Sequence, residues 1–259
     1  MSAAAPGARQ PEPTDIDDTL LTSLAVTPRL LVASDFDGVL SPIVDDPMRS
    51  FPIAASIEAL ARLAEHPETD VAIVSGRERS RLQLLVPQPE RFTLVGSHGA
   101  ELDGIEVDEQ DRLRLQRLTD DLGALGERFD GFFVEAKALS VAAHFRRVAP
   151  DRRNDAVEAV DALIDGWPAK VLTGKEVVEF TIGTADKGDA VVALRDRTEA
   201  TVTVYLGDDV TDEDAFAALD PGDIGIKIGP GPTAATHRLD APAAVTTFLA
   251  DLADRRCRS

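Results

Sequence analysis

Short apolar runs alternate with stretches of helical spacing along much of the chain. Residues 30–34, 71–74, 93–95, 202–206 and 224–228 are dominated by Val, Ile and Leu, as expected of strands buried on both faces. Between the first two runs, Ile53, Ile57, Leu60, Ala61 and Ala64 recur at helical spacing behind Pro52, a residue suited to a first helical turn. A further helix is expected over 189–194. Strands and helices in this rhythm predict an α/β fold, a Rossmann-like doubly wound parallel sheet with helices on both faces.

The stretch 110–183 breaks the rhythm. Leu118, Leu122, Leu125 and Phe129 mark one helix, and residues 132–137 and 140–147 read as strands. Ala156, Val157, Val160, Leu163 and Ile164 mark a second helix, followed by strand-like runs at 169–173 and 176–182. This order predicts an antiparallel sheet carrying two helices, an αββαββ cap domain inserted into the larger one. The expected organisation is a mobile tail over 1–24 with a short helix around 18–25, a core of 25–109 and 184–259, and a cap of 110–183. Hinges are expected near 104–110 and 183–186.

Composition narrows the function classes. The chain has 259 residues, 44% hydrophobic and 28% charged, which suffices for a packed core and excludes wholesale disorder. Lys and Arg number 27 against 46 Asp and Glu, a net charge of −19. Such a field repels nucleic-acid backbones and anionic membranes, so neither is an expected partner. Cys257 is the sole cysteine, so neither an intrachain disulfide nor a cysteine-rich zinc site can form. The first residues lack the apolar core of a signal peptide, and no run approaches the ~20 apolar residues of a membrane span. A cytoplasmic, monomeric protein is expected.

Acidic residues gather where strands end. The first strand runs into Asp35-Phe36-Asp37-Gly38, and the fourth into Gly207-Asp208-Asp209-Val210-Thr211-Asp212. Ligands of open parallel sheets sit beyond the carboxyl ends of the strands. Asp35, Asp37 and Asp208 together make a hard, oxygen-rich site suited to Mg²⁺. A solvated turn would also explain a lone Asp-x-Asp-Gly. Thr211 is placed to cap the next helix, with Asp212, Glu213 and Asp214 favouring its positive end, but this does not explain Asp208 and Asp209. Ser75-Gly76-Arg77 at the end of the second strand suits an anion or a helix cap equally. Asp186-Lys187-Gly188 precedes the helix expected over 189–194, just after the insert, where a lysine is either a solvated charge or part of the site.

In this order, Asp35-x-Asp37-Gly38, Ser75, Lys187 and Gly207-Asp208-Asp209-x-x-Asp212 resemble the four motifs of haloacid-dehalogenase (HAD) phosphatases. The insert resembles the C2B-type cap of that superfamily. More narrowly, the run from Asp35 to Pro47, Gly96-Ser97-His98-Gly99, Glu135-x-Lys137 with His144-Phe145-Arg146, and Gly174-Lys175 with Glu179 are similar to trehalose-6-phosphate phosphatases. The similarity covers about residues 30–250. Val39 departs from it, standing where many relatives have Thr, and so does the link 181–185, which replaces an Arg-Pro and Trp-containing one.

The resemblance implies a Mg²⁺-dependent phosphatase with Asp35 as nucleophile and Asp37 as general acid and base. Ser75 and Lys187 would hold the phosphoryl oxygens. The metal would be held by Asp35, the backbone carbonyl of Asp37 and Asp208, with Asp209 and Asp212 behind them. Glu135, Lys137, Arg146, Lys175 and Glu179 on the cap would read the sugar. Arg77 either assists the phosphate or pairs with a core acid. His98 either touches substrate or is a polar turn residue, and His144 is read as structural. The expected substrate is a small sugar phosphate, trehalose 6-phosphate. Competing readings are another glycosyl phosphate, a phosphotransferase, and a catalytically silent partner domain.

Overall fold

The computed structural model describes residues 13–44, 50–102, 109–137, 139–164, 171–174, 176–182 and 186–258. The chain divides into two compact units, residues 1–99 with 186–259 and residues 100–185.

The first unit is built on β1 (Leu30–Ser34), β2 (Thr69–Val74), β3 (Thr93–Val95), β8 (Val202–Gly207), β9 (Ile224–Ile228) and β10 (His237–Leu239). They form a six-stranded sheet in the order β10-β9-β8-β1-β2-β3, every pairing parallel. The five strands expected from the apolar runs are all present. Every residue of β1 is buried, which requires cover on both faces. Leu30 and Val32 pack with Leu60, Leu63, Phe248 and Leu252, from α2 (Ala54–Ala64) and α8 (Pro242–Arg256). Leu31 and Ala33 point the other way by strand alternation, and α6 (Lys187–Thr198) packs against β1 and against α7 (Asp212–Ala217). A short α3 (Arg79–Leu85) follows β2.

The tail does not extend to residue 24. Helix α1 (Asp18–Ala25) packs against α8 and buries Leu21 and Leu24 in the core. Its N-terminus is capped by Asp17, whose carboxylate accepts a hydrogen bond from the Leu20 N–H at 2.8 Å. Thr14 bridges His237 on the edge strand. The helix stands where a short one is expected, around 18–25, but eight residues with two inward leucines do not reveal that it packs into the core.

The second unit holds α4 (Glu109–Gly126), β4 (Phe133–Ala136), β5 (Ser140–His144), α5 (Arg153–Leu163), β6 (Val171–Gly174) and β7 (Val177–Thr181). The αββαββ order is as expected. The sheet order is β4-β5-β7-β6, all antiparallel. One face packs Val141, Ala143 and Phe180 against Leu118, Leu122 and Val160 of the two helices. The register leaves Glu135, Ala142 and Glu179 abreast on the other face. Among the described residues, no helix is long and apolar enough to cross a membrane.

Candidate active site

Asp35 is the first residue beyond β1. Its N–H donates to the Leu206 carbonyl of β8 at 2.8 Å, so the parallel ladder itself fixes its position. The carboxylate is buried, and Oδ1 accepts the Phe36 N–H at 2.7 Å. The chain then turns back, with Leu40 and Ser41 N–H groups both donating to the Phe36 carbonyl. Gly38 lies in this turn at φ +77°, and a Cβ there would fall 2.0 Å from Asp208 Oδ2. Only glycine admits both the backbone angle and the neighbouring carboxylate.

Lys187 opens α6, where Asp186 supplies a capping box through the Gly188 and Asp189 N–H groups. The lysine is 2% exposed, and its Nζ lies 3.2 Å from Asp35 Oδ2 and 2.7 Å from Asp212 Oδ1. Asp212 is fully buried and accepts four donors. Oδ1 takes Lys187 and the Tyr205 hydroxyl, both at 2.7 Å, and Oδ2 takes the N–H groups of Asp208 and Asp209 at 3.0 and 2.9 Å. Asp212 thus does more than complement a helix end. The cap expected of Thr211 is not formed by its side chain, and its backbone is already helical at φ −68° and ψ −18°, not extended as a capping residue requires.

The electrostatics are those of a site short of positive charge. Burial pushes the Asp35 carboxyl well above its usual range, helped by Asp212 and Asp208 and opposed by Lys187. Burial and the neighbouring Asp212 and Asp209 raise Asp208 to about 6, against Lys187 and Lys227. For Lys187, burial alone would lower the value, but Asp35 and Asp212 outweigh it and push it upward. Carboxylate oxygens of Asp35, Asp208 and Asp212 lie within 4.8 Å of one another. The four donors on Asp212 leave Asp35 and Asp208 to face a cation. Their hard oxygens suit a small divalent ion, and such an ion would relieve their repulsion.

Asp37 and Arg77 form a two-pronged ion pair, Nε to Oδ2 at 2.6 Å and Nη2 to Oδ1 at 2.8 Å. This realises one of the two options for Arg77, pairing with an acid of the core. Ser50 also donates to Asp37 Oδ1 at 2.9 Å. A cleft of about 390 Å³ is lined by Asp35, Asp37, Ser50, Arg77, Asp208 and Asp209, with Ile43 and Val44. Ser75 is buried at the end of β2, its Oγ accepting the Arg77 N–H at 3.2 Å. His98 sits in a short turn at φ +57°, its ring against Gly76.

In the second unit, Lys137 Nζ lies 2.8 Å from Glu179 Oε1, which also accepts the Ser140 hydroxyl at 2.6 Å. Glu135 pairs with His144 at 3.0 Å. The strand expected through residue 147 ends at His144, so Arg146 lies in a turn, exposed, 3.5 Å from Glu176. Lys175 lies outside the described residues. Sequence reasoning missed Ser50, Tyr205 and Lys227. Lys227 lies on β9 and donates to the Asp208 carbonyl at 2.6 Å.

Fold and site define a doubly wound α/β protein whose buried carboxylates, bridged by a lysine, meet at the ends of parallel strands, with an antiparallel α/β unit inserted in its chain. Within that class, the trehalose-phosphatase family profile matches residues 33–244, and the chain belongs to that family. It is 37% identical over 253 residues to a trehalose-phosphate phosphatase of Mycobacterium marinum, covering 88% of this chain and 62% of that protein. It is 34% identical over 237 residues to one of Mycobacterium tuberculosis, covering 85% and 60%. The chain thus spans about three-fifths of the length of these curated relatives. The C-terminal domain of a C. albicans trehalose-6-phosphate phosphatase shares the fold, with a TM-score of 0.76 at 24% identity over 94% of this chain and 98% of that one.

Proposed function

We propose that this chain hydrolyses trehalose 6-phosphate to trehalose and phosphate, as a cytoplasmic, monomeric, Mg²⁺-dependent phosphatase of the HAD superfamily with a C2B-type cap. The observation that carries the reading is the buried Asp35–Lys187–Asp212 bridge beside Asp208 at the strand ends. A silent binding domain would have no use for a buried nucleophile, a buried cation and an adjoining acid, each costly to desolvate.

In this mechanism an oxygen of Asp35 attacks phosphorus and the bond to the sugar oxygen breaks, leaving an aspartyl phosphate. Asp37 gives its proton to the departing sugar oxygen, then takes one from the water that cleaves the aspartyl phosphate. Ser75 and Lys187 bear on the phosphoryl oxygens as charge spreads over them. Asp35, Asp208 and the Asp37 carbonyl would hold Mg²⁺, which when bound offsets the charge of acids and phosphate. Asp209 and Asp212 support that site from behind. The core is assigned to 25–109 and 184–259, and sugar recognition to the inserted unit. There Glu135, Lys137, Arg146, Lys175 and Glu179 read hydroxyl groups, which polar side chains discriminate better than apolar walls. His98 is assigned to the substrate, and Arg77, paired with Asp37 on the wall of the same cleft, to holding that acid in place.

The test is phosphate release from trehalose 6-phosphate and glucose 6-phosphate, with Mg²⁺ and with excess chelator. Metal-dependent release from the disaccharide alone supports the reading. Equal rates on both sugars sink the disaccharide claim, and wild-type activity in Asp35→Asn sinks the mechanism.

A further inference from the structure

The loop that carries Asp208 is gripped from both sides of its backbone. Its N–H groups at Asp208 and Asp209 are held by the Asp212 carboxylate. Its carbonyls at the same two residues face Lys227 Nζ, at 2.6 and 3.4 Å. A negative group thus takes the donors and a positive group the acceptors of one dipeptide.

Lys227 is a costly residue for its place. It lies in a buried parallel strand, with its side chain 6% exposed, and an apolar residue there would avoid the desolvation of an ammonium. The β8–β9 register sets Lys227 beside Gly207, where the loop begins. Its carboxylate neighbour is Glu213 at 3.6 Å, and Glu213 also accepts the Thr233 hydroxyl and the Ala234 N–H. The ammonium therefore ties the Asp208–Asp209 peptides both to β9 and, through Glu213, to the segment at 233–234. Rotating those peptides would swing the Asp208 carboxylate out of the space Gly38 leaves for it.

We infer that Lys227 is a positioning residue that sets the affinity of the Asp35–Asp208 site for a divalent cation without touching the cation. The inference rests on the metal reading proposed above. Outer partners of this kind are worth about 10–100-fold in metal affinity.

The experiment is calorimetric titration of Mg²⁺ into the full chain without substrate, with folding checked by circular dichroism. The Lys227→Met variant keeps the length of the side chain and removes the ammonium. Its Mg²⁺ dissociation constant is expected to rise about tenfold or more, with kcat recovering as Mg²⁺ is raised. Glu213→Gln, which keeps Lys227 but weakens its tether, is expected to move the constant in the same direction by a smaller factor. Arg256→Met, a buried change remote from the loop, is expected to lower the melting temperature and leave the constant alone. A folded Lys227→Met protein with wild-type Mg²⁺ affinity overturns the inference. Where that variant fails to fold, unchanged affinity in Glu213→Gln overturns it. Wild-type protein that binds no Mg²⁺ overturns the metal reading and this inference with it, a result distinct from either variant outcome.

Discussion

Lys187 and Asp35 face each other at 3.2 Å, both almost fully buried, and the same ammonium reaches Asp212 at 2.7 Å. Two acids share one cation at the buried floor of the cleft. Removing the cation strands both, and breaking a buried pair typically costs about 3–5 kcal/mol. Lys187→Met is therefore expected to lower stability by about that much and kcat by about 10²–10³-fold or more. Urea denaturation and steady-state kinetics check both. Adding Asp35→Asn to Lys187→Met should restore part of the stability and none of the activity. A double variant no more stable than Lys187→Met would show that the acids are not the source of the loss.

Asp37 is held by the fork of Arg77 and by Ser50. Its proposed proton transfers serve both halves of the reaction. Asp37→Asn should lower turnover of the sugar phosphate by about 10²–10⁴-fold. With p-nitrophenyl phosphate, whose leaving group needs no proton, the first half should survive and the second should not. The expected trace is a burst of one p-nitrophenolate per active site followed by a slow phase. Arg77→Lys keeps the charge but loses the fork, so the same pattern should appear in weaker form. Linear progress curves in both variants would remove Asp37 from the water-activating step.

Much of this site was legible because a parallel sheet dictates where chemistry lies. Once 30–34 and 202–206 are read as neighbouring strands, the acids that follow them must meet at one edge. Arg77 resisted, since phosphate binding and pairing with an acid use the same guanidinium, and only geometry separates them. Tyr205 and Lys227 were hidden by their setting in apolar strands. Their signal was present, because a hydroxyl or an ammonium within a buried run demands a partner. The partners depend on register, which pairing pattern alone does not supply. The docking of helix α1 onto the core and the early end of β5 at His144 were lost for a different reason. Over five to eight residues, burial set by tertiary neighbours outweighs local pattern.

Asp208 has its carboxyl raised from the usual 3.8 to about 6. Between those values the folded protein holds a proton there that the unfolded chain has released. Metal-free protein is therefore expected to lose stability as pH rises from about 4 to 6, with the penalty complete above that. A metal needs the ionised form, so its affinity runs the other way. Ionisation of Asp208 alone should make Mg²⁺ bind about tenfold more weakly at pH 5 than at pH 7.5, and the raised Asp35 carboxyl adds to the change in the same direction. Thermal melts with chelator and with Mg²⁺ should diverge as pH rises. An affinity flat from pH 5 to 7.5 would remove Asp208 from the ligand set.

Arg256 near the end of α8 is 1% exposed and has no carboxylate within ion-pair distance among the described residues. It spends its charge on backbone instead. Nη1 donates to the carbonyls of Leu24, Ala25 and Thr27, at 3.1, 3.1 and 2.8 Å, and Nη2 to that of Glu68 at 2.7 Å. Nε reaches the Thr69 hydroxyl at the start of β2. One side chain thus closes the C-terminal end of α1, where orphan carbonyls would otherwise be buried, and ties it to the central sheet. Arg256→Met leaves those acceptors without their donor at about 1–3 kcal/mol each, partly regained where water enters. The expected loss is about 3 kcal/mol or more in chemical denaturation. Hydrogen exchange should quicken first in α1, while kcat at a temperature where the variant is folded should stay at the wild-type value. Undiminished protection of α1 in this variant would mean that Leu21, Leu24 and the Arg255 contacts to Asp18 and Thr22 suffice to hold the helix.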